Sequence, residues 1–211
     1  MYSAFERLPE EKKQHIITVC IEEFSKTGYE KTSTDTIANA AGISKGILFH
    51  YFKNKKNLFL YMIDYCRRLL GDKIMEEVQK VKEEDFFHRI KEVVLKKQKI
   101  QLTYQTETEL VTNALLHPPI GLEDDVKSLL QKNVDQYSDP FLGKMIDDSL
   151  LQNYASPEKV MNLTLIALEN VTKKYLHLYQ TQQLTFTEMQ EKVLPEIDDY
   201  ISMIKYGCLK A

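Results

Sequence analysis

Residues 32–55 read TSTDTIANAAGISKGILFHYFKNK, and one glycine in this stretch decides how the chain folds around it. Ser33 or Thr34 stands as an N-cap, and Ile37, Ala38 and Ala41 recur at helical spacing as an inner face. Small residues on that face let another helix approach closely. Gly42 can take the left-handed conformation that stops a helix, Ile43 fills the corner, and Ser44 caps the next helix. The spacing predicts helix, tight turn, helix, an arrangement that lays its second helix in the major groove of DNA.

The second helix carries chemistry suited to that groove. Ser44 and Lys45 stand at its N-terminus, where backbone N–H groups and the helix dipole attract phosphate. Gly46 has no side chain, so the backbone can come close to a partner. Ile47 points outward, while Leu48 and Phe52, four residues apart, point inward. Phe49, His50 and Tyr51 crowd the helix end with groups able to touch thymine methyls or phosphates. Lys53, Lys55 and Lys56 follow and add positive charge.

Working outward, helical periodicity holds almost everywhere. Ile16, Val19, Cys20 and Phe24 lie on one helix face, with Pro9 as a first-turn proline and Gly28 as the C-terminal stop. Asn54 is the N-cap of a longer helix running through Leu58, Phe59, Met62, Cys66, Leu69 and Leu70. Residues 117–121 form a turn, Asp139-Pro140 ends a helix, and Ser156-Pro157 starts one. Thr185 with Glu188, and Thr187 with Gln190, both have capping-box spacing, which leaves two starts for the last helix. The expected organisation is all-α, with residues 1–56 as a three-helix DNA-binding domain and residues 57–211 as a helical domain.

Composition sets outer limits. Lys and Arg total 28 against 31 Asp and Glu, a net charge of -3, which argues against a general coat for nucleic acid. The charge is uneven: residues 1–56 balance to +2 and the remainder to -5. Gly (7) and Pro (6) are too scarce for the many turns of an all-β fold. Cys20, Cys66 and Cys208 include no CxxC pair, so neither a disulfide framework nor a zinc site is expected, and a reducing cytoplasm fits. No signal pattern and no membrane-length apolar run occurs. The sequence offers no Ser-His-Asp pattern with a nucleophile elbow, no phosphate-cradling glycine loop and no HExxH pair. No enzyme activity, catalytic residue, cofactor or metal is therefore expected.

The stretch from Phe24 and Gly28-Tyr29 through Thr32–Thr34, Ile37-Ala38, Ala41-Gly42, Ser44–Gly46, Leu48–Phe52, Asn54-Lys55 and Leu58-Phe59 resembles the TetR family of bacterial transcriptional regulators. The resemblance spans about residues 10 to 62 without a gap. It implies an all-helical homodimer that regulates transcription, as a repressor released from a pseudo-palindromic operator by a small-molecule effector. By position, Thr32 and Thr34 would contact phosphates. Lys45, Gly46, Ile47 and Phe49 would meet base edges, and Ser44, His50, Tyr51 and Lys55 would complete the DNA-binding set. Phe49 stands where the family often has tyrosine, and Ile47 is more apolar than its usual counterparts.

The C-terminal part offers candidates for the effector. It holds most of the 12 tyrosines. Tyr104, Tyr137 and Tyr175 could line a pocket for an aromatic or amphipathic ligand, or could pack half-buried with the hydroxyl in water. One of the last two helices carries Val160, Leu163, Ile166, Ala167, Val171 and Leu178. The other carries Met189, Val193, Ile197, Tyr200, Ile201 and Ile204. Such stripes serve a four-helix bundle across a two-fold axis, or bury within one subunit; the resemblance favours the dimer.

Overall fold

The computed structural model describes residues 2–82, 85–131, 146–184 and 186–209. Tyr137, Asp139-Pro140 and Met145 lie outside the described residues. The chain is all-α: α1 spans Ser3–Glu6, α2 Glu10–Lys31, α3 Thr34–Ala40, α4 Lys45–Phe52 and α5 Lys55–Val78. Then come α6 (Phe86–Thr103), α7 (Gln105–Leu116), α8 (Glu123–Gln131), a 3-10 turn at Asp148–Leu150, α9 (Pro157–Gln180) and α10 (Phe186–Cys208). Two compact units form, Met1–Lys73 with Gln101–Val134 and Ile74–Ile100 with Asp135–Ala211. These packing units are drawn at other places than the functional boundary expected near residue 56, which falls at the start of α5.

In the first unit α2 packs on α3 and α7, α1 and α3 pack on α4, and α7 packs on α8. The core gathers Ile16, Cys20 and Phe24 of α2, Ile37 and Ala38 of α3, and Leu48 and Phe52 of α4. Leu58, Met62 and Cys66 of α5, Leu110 and Ala114 of α7 and Val126 of α8 complete it. These are the inward positions that the i, i+4 spacing marks on each helix. Gly28, expected to stop the first helix, has φ +72° and ψ 167°. The helix breaks there, and a short turn carries the chain on to Lys31.

Helix α1 is an addition to the expected fold, in which the first helix starts at Pro9. Four residues are too few to hold helical structure by themselves, so α1 depends on tertiary packing. Phe5 is fully buried, its ring 4.7 Å from Phe52 and 5.5 Å from Tyr61. Tyr2 lies edge-on to Tyr61 at 4.8 Å. The Tyr61 hydroxyl donates to Glu6 Oε1 at 2.6 Å. Burial raises the Tyr61 pKa, and the hydrogen bond to Glu6 raises it further. An aromatic cluster thus clamps the inner face of α4 from the N-terminal side.

The thiols Cys20, Cys66 and Cys208 are free and buried. Burial pushes Cys20 up to about 12. Burial also raises Cys66, with the Glu107 charge adding to the shift. Almost no thiolate exists at either site at neutral pH, so both behave as apolar core groups.

In the second unit α9 and α10 pack along each other. Phe86, Phe87, Ile90 and Val94 of α6 join Val160, Leu168 and Val171 of α9 and Val193, Ile197 and Ile201 of α10 in one core. Ser156 caps α9 by accepting from the Lys159 amide at 3.3 Å, with Pro157 in the first turn. Helix α10 begins at Phe186, the earlier of the two expected starts, and continues through Pro195. Packing offsets the one hydrogen bond that proline removes there. The two apolar stripes divide between faces. Val160, Val171, Met189, Val193, Ile197, Ile201 and Ile204 are buried within the unit, whereas Leu163, Ile166 and Tyr200 are exposed beside Met203 and Tyr206.

The dependence of α1 on its aromatic contacts has a measurable consequence. Phe5→Ala is expected to lower the free energy of unfolding by about 3 kcal/mol, read from the urea midpoint. A loss under about 0.5 kcal/mol, the range of an ordinary surface change, would mean that α1 does not support the core.

Candidate nucleic-acid interface

The turn between α3 and α4 is built from two backbone hydrogen bonds. The Gly42 amide donates to the Asn39 carbonyl at 3.1 Å, and the Ile43 amide donates to the Ala38 carbonyl at 3.0 Å. This double closure satisfies carbonyls that α3 would otherwise leave unpaired, and it requires a left-handed residue at Gly42, where φ is +64°. Each helix is capped by a serine. Ser33 Oγ accepts from the Asp35 amide at 3.2 Å, which selects Ser33 over Thr34 as the cap of α3, and Ser44 Oγ accepts from the Ile47 amide at 3.2 Å.

The burial of Leu48 and Phe52 fixes the rotation of α4. With those two side chains wholly inside, Lys45, Gly46 and Ile47 are exposed and Phe49 is half-buried. Ile47 keeps 41% of its surface exposed, high for an isoleucine beside a packed core. Lys45 Nζ lies 2.7 Å from Asp35 Oδ2 in the first turn of α3, and 5.9 Å from the Phe49 ring centroid. The pair therefore bridges the two helices of the motif. Sequence reasoning missed this pair, whose only signal is an acid ten positions before a lysine, across a turn.

Gly46 has no structural reason to be glycine. A Cβ there would meet only Ser44 Oγ, at 3.8 Å, an ordinary contact. Glycine inside a helix costs about 1 kcal/mol relative to alanine. The fold alone would favour a larger residue at this position.

The far end of α4 is held differently. His50 is exposed, with its ring 5.8 Å from Tyr51, and Tyr51 is half-buried against Phe5 at 5.6 Å. Lys53, at φ +66°, ends the helix, its amide on the Phe49 carbonyl at 2.8 Å. Asn54 caps α5 as expected, its Oδ1 accepting from the Asn57 amide at 2.8 Å. Lys55 Nζ donates to the Glu30 carbonyl at 3.1 Å and lies 4.7 Å over the Tyr29 ring. Lys56 pairs with Asp125 of α8 at 2.7 Å.

Among the expected phosphate contacts, Thr34 is half-buried in the first turn of α3, and Ser44 is exposed. Thr32 is placed otherwise. It is buried, and its hydroxyl donates to the Gly28 carbonyl at 2.6 Å and lies 2.7 Å from Thr27 Oγ1. As placed, that hydroxyl closes the end of α2 and is not a surface group.

Of the aromatic candidates for an effector site, Tyr104 and Tyr175 fall in different packing units. Tyr104 is half-buried at the break between α6 and α7, in the first unit. Tyr175 belongs to the second unit, buried on α9, and its hydroxyl donates to Glu196 Oε2 at 2.6 Å. Lys174 Nζ lies 2.8 Å from the same oxygen. The bond to Glu196, followed by burial, raises the Tyr175 pKa, while Lys174 and Tyr175 together hold the Glu196 carboxyl low.

Comparison with known proteins meets the same segment. The family model of bacterial regulatory proteins of the tetR family matches residues 16–62. The chain is 34% identical over 67 residues to the HTH-type transcriptional regulator AcrR of Shigella flexneri, a match covering 32% of this chain and 31% of that protein. It is 29% identical over 129 residues to RutR of Escherichia coli K12, covering 60% of this chain and 58% of RutR. The chain thus spans about a third of AcrR and little more than half of RutR. Among solved structures, a TetR family transcriptional regulator from Chloroflexus aurantiacus superimposes with a TM-score of 0.69 at 19% identity, covering 99% of this chain and 98% of the other. That likeness establishes the fold. The family model lies over α2, α3 and α4 and the start of α5, where the caps, the Gly42 turn and the inward Leu48 and Phe52 fall, and it is this segment, residues 16–62, that matches the tetR family of bacterial regulatory proteins.

Proposed function

We propose that the chain is a DNA-binding transcriptional regulator, a homodimeric repressor released from a pseudo-palindromic operator by a small-molecule effector. The observation that carries this reading is the outer face of α4. It presents Lys45, Ile47 and Phe49 around a glycine whose missing side chain serves no internal packing. Residues 1–56 are the DNA-binding part and residues 57–211 the effector-binding and dimerisation part. AcrR and RutR, both HTH-type transcriptional regulators, support the same class of activity.

Lys45, Gly46, Ile47 and Phe49 meet base edges in the major groove, where an apolar side chain reads a thymine methyl and an ammonium reads guanine acceptors. Ser44, Thr34, His50, Tyr51 and Lys55 hold the phosphate backbone, which positions the protein without reading sequence. Thr32 contributes by closing the end of α2. The +2 balance of residues 1–56 suits a local, salt-sensitive reader.

Dimerisation uses the outer face of α9 and α10. Leu163, Ile166, Tyr200, Met203 and Tyr206 leave an apolar surface in water, and a groove of about 390 Å³ lined by Tyr154, Leu163 and Met203 lies within it. Exposed apolar area of this kind marks an interaction site. A two-fold pairing would set two α4 helices roughly 34–36 Å apart, matching successive major grooves. The effector acts by binding one spacing of the heads more tightly than the other. Tyr104, Tyr137 and Tyr175 are its candidate contacts. No membrane, cofactor, metal or catalysis enters this reading, and its place is the cytoplasm. No helix among the described residues is long and apolar enough to cross a membrane.

Fluorescence anisotropy on the protein's own upstream DNA, at fixed salt, tests the docking. Lys45→Ala is expected to weaken operator binding about tenfold and to relax sequence preference, and unchanged affinity would sink the docking of α4. Replacing Tyr51 or Lys55 is expected to weaken binding to all sequences alike. Gly46→Ala separates fold from function: stability is expected to rise by up to about 1 kcal/mol while DNA affinity falls. Affinity equal to wild type would mean that nothing approaches α4 closely. Ile166→Asp is expected to turn a dimer into a monomer in sedimentation equilibrium. A dimer that survives would place the interface elsewhere.

A further inference from the structure

We propose that Asp35 is a specificity-determining positioning residue, which holds Lys45 as a reader of base edges and keeps it from serving as a general counterion for phosphate. The proposal rests on the reading of α4 as the DNA-contacting helix. Its basis is the 2.7 Å pair between Lys45 Nζ and Asp35 Oδ2, which joins the first turn of α3 to the first turn of α4.

The placement of the pair matters more than its strength. Both side chains are about half exposed, at 47% and 60%, so the ion pair is accessible to a ligand and adds little to stability. Lys45 is the first residue of α4, beside the exposed Gly46 and Ile47. An unpaired lysine here would meet any phosphate at the groove edge, a contact that rewards all sequences equally. Asp35 cancels that charge while occupying one of three ammonium donors. The other two donors stay available, and guanine O6 and N7 are acceptors that only some base pairs present in the major groove. The side chain is also braced from below, with the Phe49 ring centroid 5.9 Å from Nζ. Lys45 is thereby directed by one carboxylate and one aromatic face before DNA arrives.

The other lysines of the segment make the contrast plain. Lys55 is tied to the Glu30 backbone carbonyl at the end of α2, and Lys56 to Asp125 of α8. Lys45 is the lysine of α4 itself, and its acid partner comes from the neighbouring helix of the motif. A carboxylate beside a DNA-facing lysine opposes affinity for any polyanion. It is useful there only if discrimination between sequences gains from it.

The test is Asp35→Asn, which keeps the shape and the hydrogen-bonding oxygen and removes the charge. It is measured by anisotropy on the upstream operator and on a duplex of random sequence, across a salt series. Affinity for the random duplex is expected to rise, and the salt slope to steepen by about 0.9, or about 3.5-fold more loss of binding per fourfold increase in salt. The ratio of operator to random affinity is expected to fall by a similar factor. In Lys45→Gln the same Asp35 change is expected to produce no further loss of that ratio. An unchanged slope and ratio in Asp35→Asn would overturn the proposal, as would an equal effect in the Lys45→Gln background, which would assign it to bulk charge. Wild-type protein that binds neither duplex would overturn the DNA-binding reading itself, a result distinct from binding with an indifferent Asp35. Circular dichroism melting of each variant separates these outcomes from loss of fold.

Discussion

The hydrogen bond from the Ile43 amide to the Ala38 carbonyl, 3.0 Å long, closes the turn on which the N-terminal fold depends. It forms only if Gly42 adopts positive φ, a conformation that costs most other residues about 1–2 kcal/mol. Once it is formed, α3 ends and α4 starts at a set angle, and Ser44 caps the new helix. Leu48 and Phe52 then reach the core, where Phe5 and Tyr61 receive Phe52. The outward direction of Lys45, Ile47 and Phe49 follows from that burial. Nothing on the outer face has to hold itself in place.

Charge near the motif is organised rather than simply abundant. Counted from the sequence, Lys45, Lys53, Lys55 and Lys56 are four cations concentrated beside α4. In the structure, three have specific partners: Asp35, the Glu30 carbonyl and Asp125. The electrostatic attraction of this face for a polyanion is thus smaller than a count of lysines suggests. Directed groups replace undirected charge, which favours selectivity over raw affinity.

What was legible in the sequence was what is local. Serine caps, a glycine stop and two apolar residues four apart all act within a few positions, so α3, α4 and the start of α5 could be placed almost residue by residue. Helix α1 could not, because four residues carry no helical preference of their own and Phe5 is held by Phe52 and Tyr61. Thr32 misled for a related reason. Its hydroxyl looks free in the sequence, but the kink at Gly28 brings the Gly28 carbonyl within 2.6 Å. The stripes of α9 and α10 were legible as apolar but not as two faces, since helical spacing alone cannot say which neighbour covers which side. The pairing of Lys45 with Asp35 crosses the motif turn and has no sequence period at all.

In the proposed function, the outer face of α4 is shaped by a DNA partner and not by the fold. Two-dimensional NMR of the full chain, titrated with its upstream DNA, tests it most directly. Amide shifts are expected to concentrate in residues 32–55, strongest from Ser44 to Tyr51. Shifts that leave α4 silent while DNA is bound elsewhere on the chain would contradict the claim.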